Sequence, residues 1–529
     1  MTSSIDDNPP QRSECHKRRV HILMSGPLTY GAAGLANSVI SRSTALSNAG
    51  WEVVLLIDVW QPDLDRHVEL LKSSRRLGQN VEVRNLYEDL SRRSAGMGLW
   101  NAEVSASPML NDYVGDLEKK VDSTDARIVR FYDGNRYKYF AYRPDCQDVS
   151  FIDELVDGSR RRRLFFDTNG KLIRALRYEG DRIRDDEGFD GNGDLYYRQR
   201  SEMNGQSQYL SVRSDKRSYQ RLAGESSLLY FWLNACFGWE DSDVIISEYA
   251  FRFDHLERLK QQQRISVIYT LHNSHLAYPH NLSAPLKPEL ETTFRNAPHM
   301  DALVVLTPQQ KFDIQKSFPS LNNIHVIPHA TPAPMRSDGG EQKRETGLIA
   351  LVGRLSKVKG QVRVVEQFSR VLERLPGARL ELWGRGEAEG EIADMISRKG
   401  LEENVKLCGF ATDPTHVYQR AEVALFPSLY EGQPLALMEA MHHGCVPVCF
   451  DFKYGARMMV DDLIDGVIVE RDDLLDMLDS AAVLISDRRA LKHFSRNAVR
   501  KSGLFSESRL VGDWDLLLSR LARQRLGTE

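Results

Sequence analysis

Cysteine is scarce in this chain: Cys15, Cys146, Cys236, Cys408, Cys445 and Cys449 are scattered through 529 residues, too sparsely for a disulfide framework. Most lie in apolar contexts, as small core residues of a reducing compartment do. No apolar run reaches the roughly 18 to 20 residues of a membrane span, and Met1 to Arg19 has no signal-type apolar core. A cytoplasmic protein is expected. An excess of either charge is missing too: Lys plus Arg number 70 against 74 Asp plus Glu, net -4, with a pI near 6.4. General binding to nucleic acid is therefore not expected, because that needs a basic surface. His442, His443, Cys445 and Cys449 are close enough in sequence to suggest a metal set, but Val446, Pro447 and Val448 alternate as a strand behind a helix end, so no metal is expected. What remains is 41% hydrophobic and 27% charged, a composition that suits a large globular protein of two or more domains.

Short apolar strands alternate with helical patterns along most of the chain, the signature of βαβ units on parallel sheets. One series opens with a strand at 20–25, turns through "GPLTYGAAG" (26–34), runs as a helix to Asn48 and resumes in "WEVVLLID" (51–58). It continues in strand patterns at 243–249, 265–273, 301–307 and 324–330. A second series has strand patterns at 347–354, 378–386, 405–410, 423–428 and 446–451. Between them, "TPAPMRSDGGEQKRET" (331–346) has the Pro, Gly and charge of an interdomain linker. The first series is interrupted at 126–219, where "DGN", "DTNG" and "DGNGD" are hairpin turn signals. Within it, "FFDTNGKLIRALRY" and "GFDGNGDLYYRQR" read as one aromatic-Asp-turn-Leu hairpin used twice. Arg160 to Arg163 form a basic run there, either a solvated hairpin tip or a contact for an anionic polymer or a second subunit. The expected architecture is α/β, with two Rossmann-like domains facing a cleft. A polar tail (1–18) precedes a first domain (19–345) that carries the antiparallel insertion; a second domain (346–505) and a returning terminal helix (506–529) follow.

Two carboxylates stand out in "FPSLYEGQPLALMEAMHHGCVPVCF" (426–450), which otherwise reads as core. Glu431 follows a strand, at the position where open α/β sheets bind ligands, and Glu439 lies on the helix expected to begin near Gln433 or Pro434. Carboxylates so placed can accept pairs of hydrogen bonds from sugar hydroxyls. In "VGRLSKVKG" (352–360), Arg354 and Lys359 follow a strand and precede a helix, so both cations can converge on one anion, most plausibly a diphosphate.

Arg354 and Lys359 with "WGRG", "CGF", "SLYEGQPLALMEAM" and "GCVPV" together resemble the nucleotide-sugar half of GT-B glycosyltransferases of the retaining family 4, and Glu431 and Glu439 match its E-x7-E motif. The likeness runs through residues 347–505 and extends to a Gly loop and first helix at 30–53 and to "LHNSHL" (271–276). With the insertion it is similar to the branch of bacterial wall teichoic acid α-glycosyltransferases and adhesin-modifying relatives. Gln433 and Pro434 depart from the commoner Gly-Phe-Gly pattern, which leaves sugar selectivity open.

The resemblance implies a retaining, metal-independent hexosyltransferase that moves glucose or N-acetylglucosamine from a UDP donor to a hydroxyl of a polymer or protein, with no cofactor. Arg354 and Lys359 would bind the diphosphate, Glu431 would contact the donor sugar, and Glu439 would hold the ribose. Gly31 and Gly34 would let backbone approach the diphosphate from the opposite domain. Gly353, Gly384, Gly432, Gln433, Pro434 and Leu435 would complete the donor site, and His275 foremost, as a catalytic residue with Glu431, Arg354 and Lys359, and after it His272, would face the donor sugar or the acceptor. The resemblance also admits a membrane association and a homo-oligomer built through the insertion. The other function class kept open is a non-catalytic GT-B partner that positions the acceptor for an active enzyme.

Overall fold

The computed structural model describes residues 18–31, 34–97, 109–143, 149–201, 208–215, 218–222, 225–249, 252–280, 283–331, 344–411 and 413–527. Nearly all of the tail and most of the linker fall outside these residues, as do positions 32 and 33 of the Gly loop.

Both domains are built on the same plan. The first sheet has seven parallel strands in the order Ile324–Val326, Ala302–Val305, Ser266–Leu271, Val244–Ser247, Arg19–Met24, Glu52–Ile57 and Glu82–Asn85. The second has six parallel strands in the order Val405–Gly409, Arg379–Trp383, Leu348–Val352, Val423–Phe426, Val446–Phe450 and Val467–Val469. In each, the first strand lies inside the sheet and the chain winds outward on one side before crossing to the other, which leaves a crevice at the crossover. Helices cover both faces, so the central strands are buried throughout and largely apolar: every residue of Val244–Ser247 and of Ser266–Leu271 is buried. Two edge strands escape the sequence pattern. Glu82–Asn85 is polar in three of its four positions, and Val467–Val469 has only three residues.

The insertion is a ten-stranded antiparallel meander in which each strand pairs with the next, from Glu118–Val121 to Tyr219–Leu222. It is wider than the expected 126–219, because its first strand, "EKKV", is polar and fully exposed and carries no alternation. The two similar hairpins share one turn. Asp167 Oδ1 accepts from the amides of Asn169 (2.9 Å) and Lys171 (2.8 Å), and Asp190 Oδ1 accepts from those of Asn192 (2.8 Å) and Asp194 (3.0 Å). The meander docks by packing Tyr196, Tyr197, Leu210 and Val212 on Leu86 and Leu90, and Phe165 against Trp60 at 4.6 Å between ring centroids. Its far half has a core of its own, with Val129, Phe131, Ala141, Ile152 and Leu164. The arginine run is not a hairpin tip: it lies in strand Ser159–Phe166, beside the acidic strand Phe151–Val156, and the tip is Asp157 and Gly158. Arg160 and Arg163 pair with Asp153 (2.9 and 2.7 Å), and Arg162 pairs with Glu154 at 2.5 Å.

The last helix, Glu507–Leu526, buries Leu510, Trp514, Leu517, Leu518 and Leu521 among Val20, Ile22, Ile246 and Ile268 of the first sheet. The chain thus finishes on the domain where it began. Its entry is fixed by Thr331 N donating to Phe505 O at 2.9 Å.

Candidate active site

The crossover of the second sheet lies between Leu348–Val352 and Val423–Phe426, which pair through Ile349 with Val423 and Ala350 with Ala424. The loops that leave these two neighbouring strands carry Arg354 and Lys359 on one side and Glu431 on the other. They meet: Lys359 Nζ forms an ion pair with Glu431 Oε1, and Leu429 N donates to Val358 O at 2.9 Å. Arg354 is exposed, with no side-chain partner among the described residues, while its carbonyl accepts from Gln361 Nε2 at 2.8 Å. One free cation, one paired cation and one carboxylate therefore face the same crevice. Gly353 and Gly384 make room for this loop, since a Cβ at Gly384 would fall 1.9 Å from Gly353 O.

Helix Leu435–His442 starts one residue later than expected, with Pro434 as its N-cap. Glu439 is its fifth residue, and its carboxyl has no hydrogen-bond partner among the described residues. Burial, reinforced by Asp413, pushes its carboxyl up to about 7. A half-buried carboxyl without a partner costs stability unless a ligand occupies it.

The first domain closes over this surface. A Cβ at Gly432 would lie 2.0 Å from His272 O, so only glycine lets the Glu431 loop approach so closely. Gly31 stands opposite Phe410, 3.8 Å away when a Cβ is built on it, and Gly34 is left-handed at φ 59°. Gln433, 5% exposed, does not face a donor: its Oε1 accepts from His329 N (2.7 Å) and its Nε2 donates to His329 O (3.2 Å), locking the two domains together. Lys453 Nζ and Tyr454 Oη both reach Asp313 Oδ2, at 2.6 and 3.0 Å, in a second interdomain contact.

The two histidines separate clearly. His275 is 1% exposed, parallel to Phe294 and Tyr454 with centroids 5.9 Å from each, and its Nδ1 lacks a partner. Burial pushes it down to about 4, so it is neutral interdomain packing and has no surface to offer a donor. His272 is the one at the crevice. Its Nε2 donates to Glu248 Oε2 at 2.7 Å, and its Nδ1 is 3.4 Å from His329 Nε2.

Behind His272 lies a cluster that the sequence reading missed. Glu248 follows strand Val244–Ser247, at the crossover of the first sheet, and forms a buried ion pair with Arg42 of helix Leu35–Asn48. Burial alone would raise the Glu248 carboxyl, but Arg42 and the His272 N–H hold it below its ordinary range. Trp514 of the last helix lies 4.8 Å from the Arg42 guanidinium. The signals were present: an acid ending the apolar run "VIISE", and an arginine on the helix face that carries Val39, Ile40 and Leu46.

Residues 337–501 match the family model "Glycosyl transferases group 1". The chain is 22% identical over 520 residues to the poly(glycerol-phosphate) alpha-glucosyltransferase of Bacillus subtilis, covering 96% of this chain and 76% of that one. It is also 22% identical over 489 residues to the poly(ribitol-phosphate) alpha-N-acetylglucosaminyltransferase of Staphylococcus aureus, covering 90% and 94%. Among solved structures, a S. aureus TarM variant in complex with Fondaparinux, alpha-GlcNAc-glycerol and UDP superposes with a TM-score of 0.80 at 19% identity, covering 95% of this chain and 99% of that one. The pneumococcal O-GlcNAc transferase GtfA in complex with UDP and GlcNAc gives 0.76 at 15% identity, covering 96% and 99%. With a crossover crevice in each parallel sheet and residues 337–501 matching the group 1 model, the chain has the GT-B fold, and its carboxy-terminal domain is similar to those of group 1 glycosyl transferases.

Proposed function

We propose that this chain is a retaining hexosyltransferase that moves glucose or N-acetylglucosamine from a UDP donor to a hydroxyl of a cell-surface polymer, of the teichoic-acid kind, or of a protein. The observation that carries this reading is the ion pair of Lys359 with Glu431 at the crossover of the second sheet, with the exposed Arg354 on the same loop as Lys359. Two cations there can take the charge that grows on a departing diphosphate as the bond from sugar C1 to the diphosphate oxygen breaks. Glu431 lies where the positive charge developing on the sugar ring is stabilised. The acceptor oxygen attacks C1 from the face the diphosphate leaves, and its proton passes to a diphosphate oxygen, so no protein nucleophile is consumed. His272, fixed by Glu248, borders the donor sugar from the first domain. In this reading, which supersedes the donor role expected for His275, catalysis is positional and electrostatic and calls on no metal. The relatives named for poly(glycerol-phosphate) and poly(ribitol-phosphate) support the polymer acceptor, and the UDP-N-acetylglucosamine–peptide N-acetylglucosaminyltransferase GtfA subunit of Streptococcus parasanguinis, 24% identical over 375 residues, supports a protein one. No helix among the described residues is long and apolar enough to cross a membrane. A cytoplasmic location, at the inner face of the membrane, goes with this reading.

The test is hydrolysis of UDP-glucose, UDP-N-acetylglucosamine and UDP-galactose by the purified chain in the presence of a chelator. Slow release of UDP from one of the first two is expected. No turnover together with no calorimetric UDP binding would favour the non-catalytic partner that positions an acceptor for another enzyme.

Glu439 adds a pH prediction. If its ionised carboxylate holds the ribose hydroxyls, donor affinity requires the deprotonated form, which with a midpoint of about 7 is the minor species at pH 6. UDP-sugar binding, whose esterified diphosphate does not titrate there, should weaken about tenfold from pH 8 to pH 6. Glu439→Gln should bind weakly at both pH values; a variant that keeps the parent's pH profile would remove Glu439 from donor binding.

A further inference from the structure

We propose that one outer face of the carboxy-terminal domain, formed by helix Arg488–Ser502 and the adjoining turn 461–466, binds an anionic membrane surface. This goes beyond the transfer reaction and does not depend on it. The helix, RRALKHFSRNAVRKS, has six Lys and Arg in 15 residues and no acid. Leu491, Ala498 and Ser502 face inward; at about 100° per residue, Arg489, Arg496 and Arg500 fall on the opposite side with Lys492 at its margin, and all four are exposed. Arg489, Lys492 and Arg496 have no side-chain partner among the described residues, and Arg500 reaches only Asn497, at 3.3 Å.

The turn supplies the apolar part. Asn497 Nδ2 donates to Ile464 O at 3.0 Å and Lys501 Nζ holds Asp461 at 2.8 Å, so the turn runs along the flank of the helix. From it project Leu463, 68% exposed, and Ile464, 50% exposed. Leu463 sits at φ 60°, a left-handed conformation that is unfavourable for leucine, fixed by its amide donating to Gly466 O at 2.9 Å. Two aliphatic side chains are thus held out into water by a strained turn. Of the acids of the turn, Asp461 is paired with Lys501 and Asp465 is buried, accepting from Asp461 N (2.8 Å), which leaves exposed Asp462 as one negative charge against Arg489, Lys492, Arg496 and Arg500.

Cations on a helix beside projecting aliphatics match the layered chemistry of a bilayer surface, with lipid phosphates meeting guanidinium groups and the acyl boundary meeting Leu463 and Ile464. A dissolved anionic polymer would use the cations and leave the aliphatics in water, which is why a membrane is the occupant named. The helix also packs on Leu435–His442, which begins at the Glu431 loop, so attachment would hold the crevice one domain's thickness from the lipid.

The experiment is sedimentation of the full chain with vesicles of phosphatidylcholine alone or mixed with phosphatidylglycerol, at low and high salt and without donor. Binding to the anionic vesicles only, weakened by salt, is expected. Arg489→Glu with Arg496→Glu should lower that affinity tenfold or more, on the order expected for losing two cations at an anionic surface. Leu463→Ser with Ile464→Ser should also lower it, and should abolish whatever binding survives high salt. All four positions are exposed, so melting temperature and donor hydrolysis should match the parent's and show that the variants fold. Absence of binding to anionic vesicles overturns the proposal. So does loss on charge reversal with no effect of the Leu463 and Ile464 changes, which would assign the face to a soluble polyanion.

Discussion

Lys359→Ala is expected to lower kcat/KM about a thousandfold and to weaken UDP binding, whereas Glu431→Gln should leave UDP binding close to the parent's while kcat falls by a hundredfold or more. The difference follows from what each group faces. Lys359, 30% exposed, points into the crevice with a charge that stabilises both the bound diphosphate and the greater charge it carries as it leaves, so its loss touches affinity and rate together. Glu431, 12% exposed, carries a charge that a neutral amide of the same shape cannot supply to a developing oxocarbenium ion, although it can keep ground-state hydrogen bonds. Because the two side chains are paired, their effects should not add: the double variant should be little worse than the worse single one. UDP affinity by calorimetry and UDP release under saturating donor separate the terms. If Glu431→Gln turns over at the parent's rate, Glu431 has no part in the chemistry; if Lys359→Ala binds UDP normally, the diphosphate sits elsewhere.

How much of this was legible beforehand depended on whether a contact is local. The parallel strands were readable because sheets covered on both faces demand near-continuous apolar runs, as in "VIIS" and "SVIYTL". Glu431, Arg354 and Lys359 were readable because each stands just past such a run, where the crevice forms. The meander's extent was not, since "EKKV" is held by its neighbour strand alone. The different settings of His275 and His272 were hidden for a related reason. Both histidines of "HNSH" follow the same strand, and only the packing of Tyr454 and Phe294 decides that one is enclosed while the other meets Glu248. Gln433 was read as part of the donor site because it adjoins Glu431; its amide is used up by the His329 backbone, 104 residues away in the chain. The unusual residues after Glu431 thus bear first on how the domains close, and only through that on the sugar.

The second large effect lies in the buried pair behind His272. Glu248→Gln should destabilise the protein by roughly 3–5 kcal/mol, because it leaves the Arg42 charge buried without its counter-ion. On a chain of this size the melting temperature should fall by about 3–5 °C. The pH dependence has a definite sign. Glu248 is held below the ordinary glutamate range, so the pair's contribution is complete at neutral pH and is lost only as pH falls through that lowered value. Stability and positioning can then be parted with Arg42→Met combined with Glu248→Met, which removes both charges and should recover much of the lost melting temperature. Activity should not recover with it. Without the Glu248 carboxylate, nothing fixes the His272 N–H, and the ring is left with only His329, which burial holds neutral, as a partner. A double variant that regains stability but stays at least tenfold low in kcat, with UDP affinity intact, identifies Glu248 as a positioning residue for His272. Full recovery of both would make the pair a matter of folding alone, with Arg42 there to receive Trp514 and seat the returning helix.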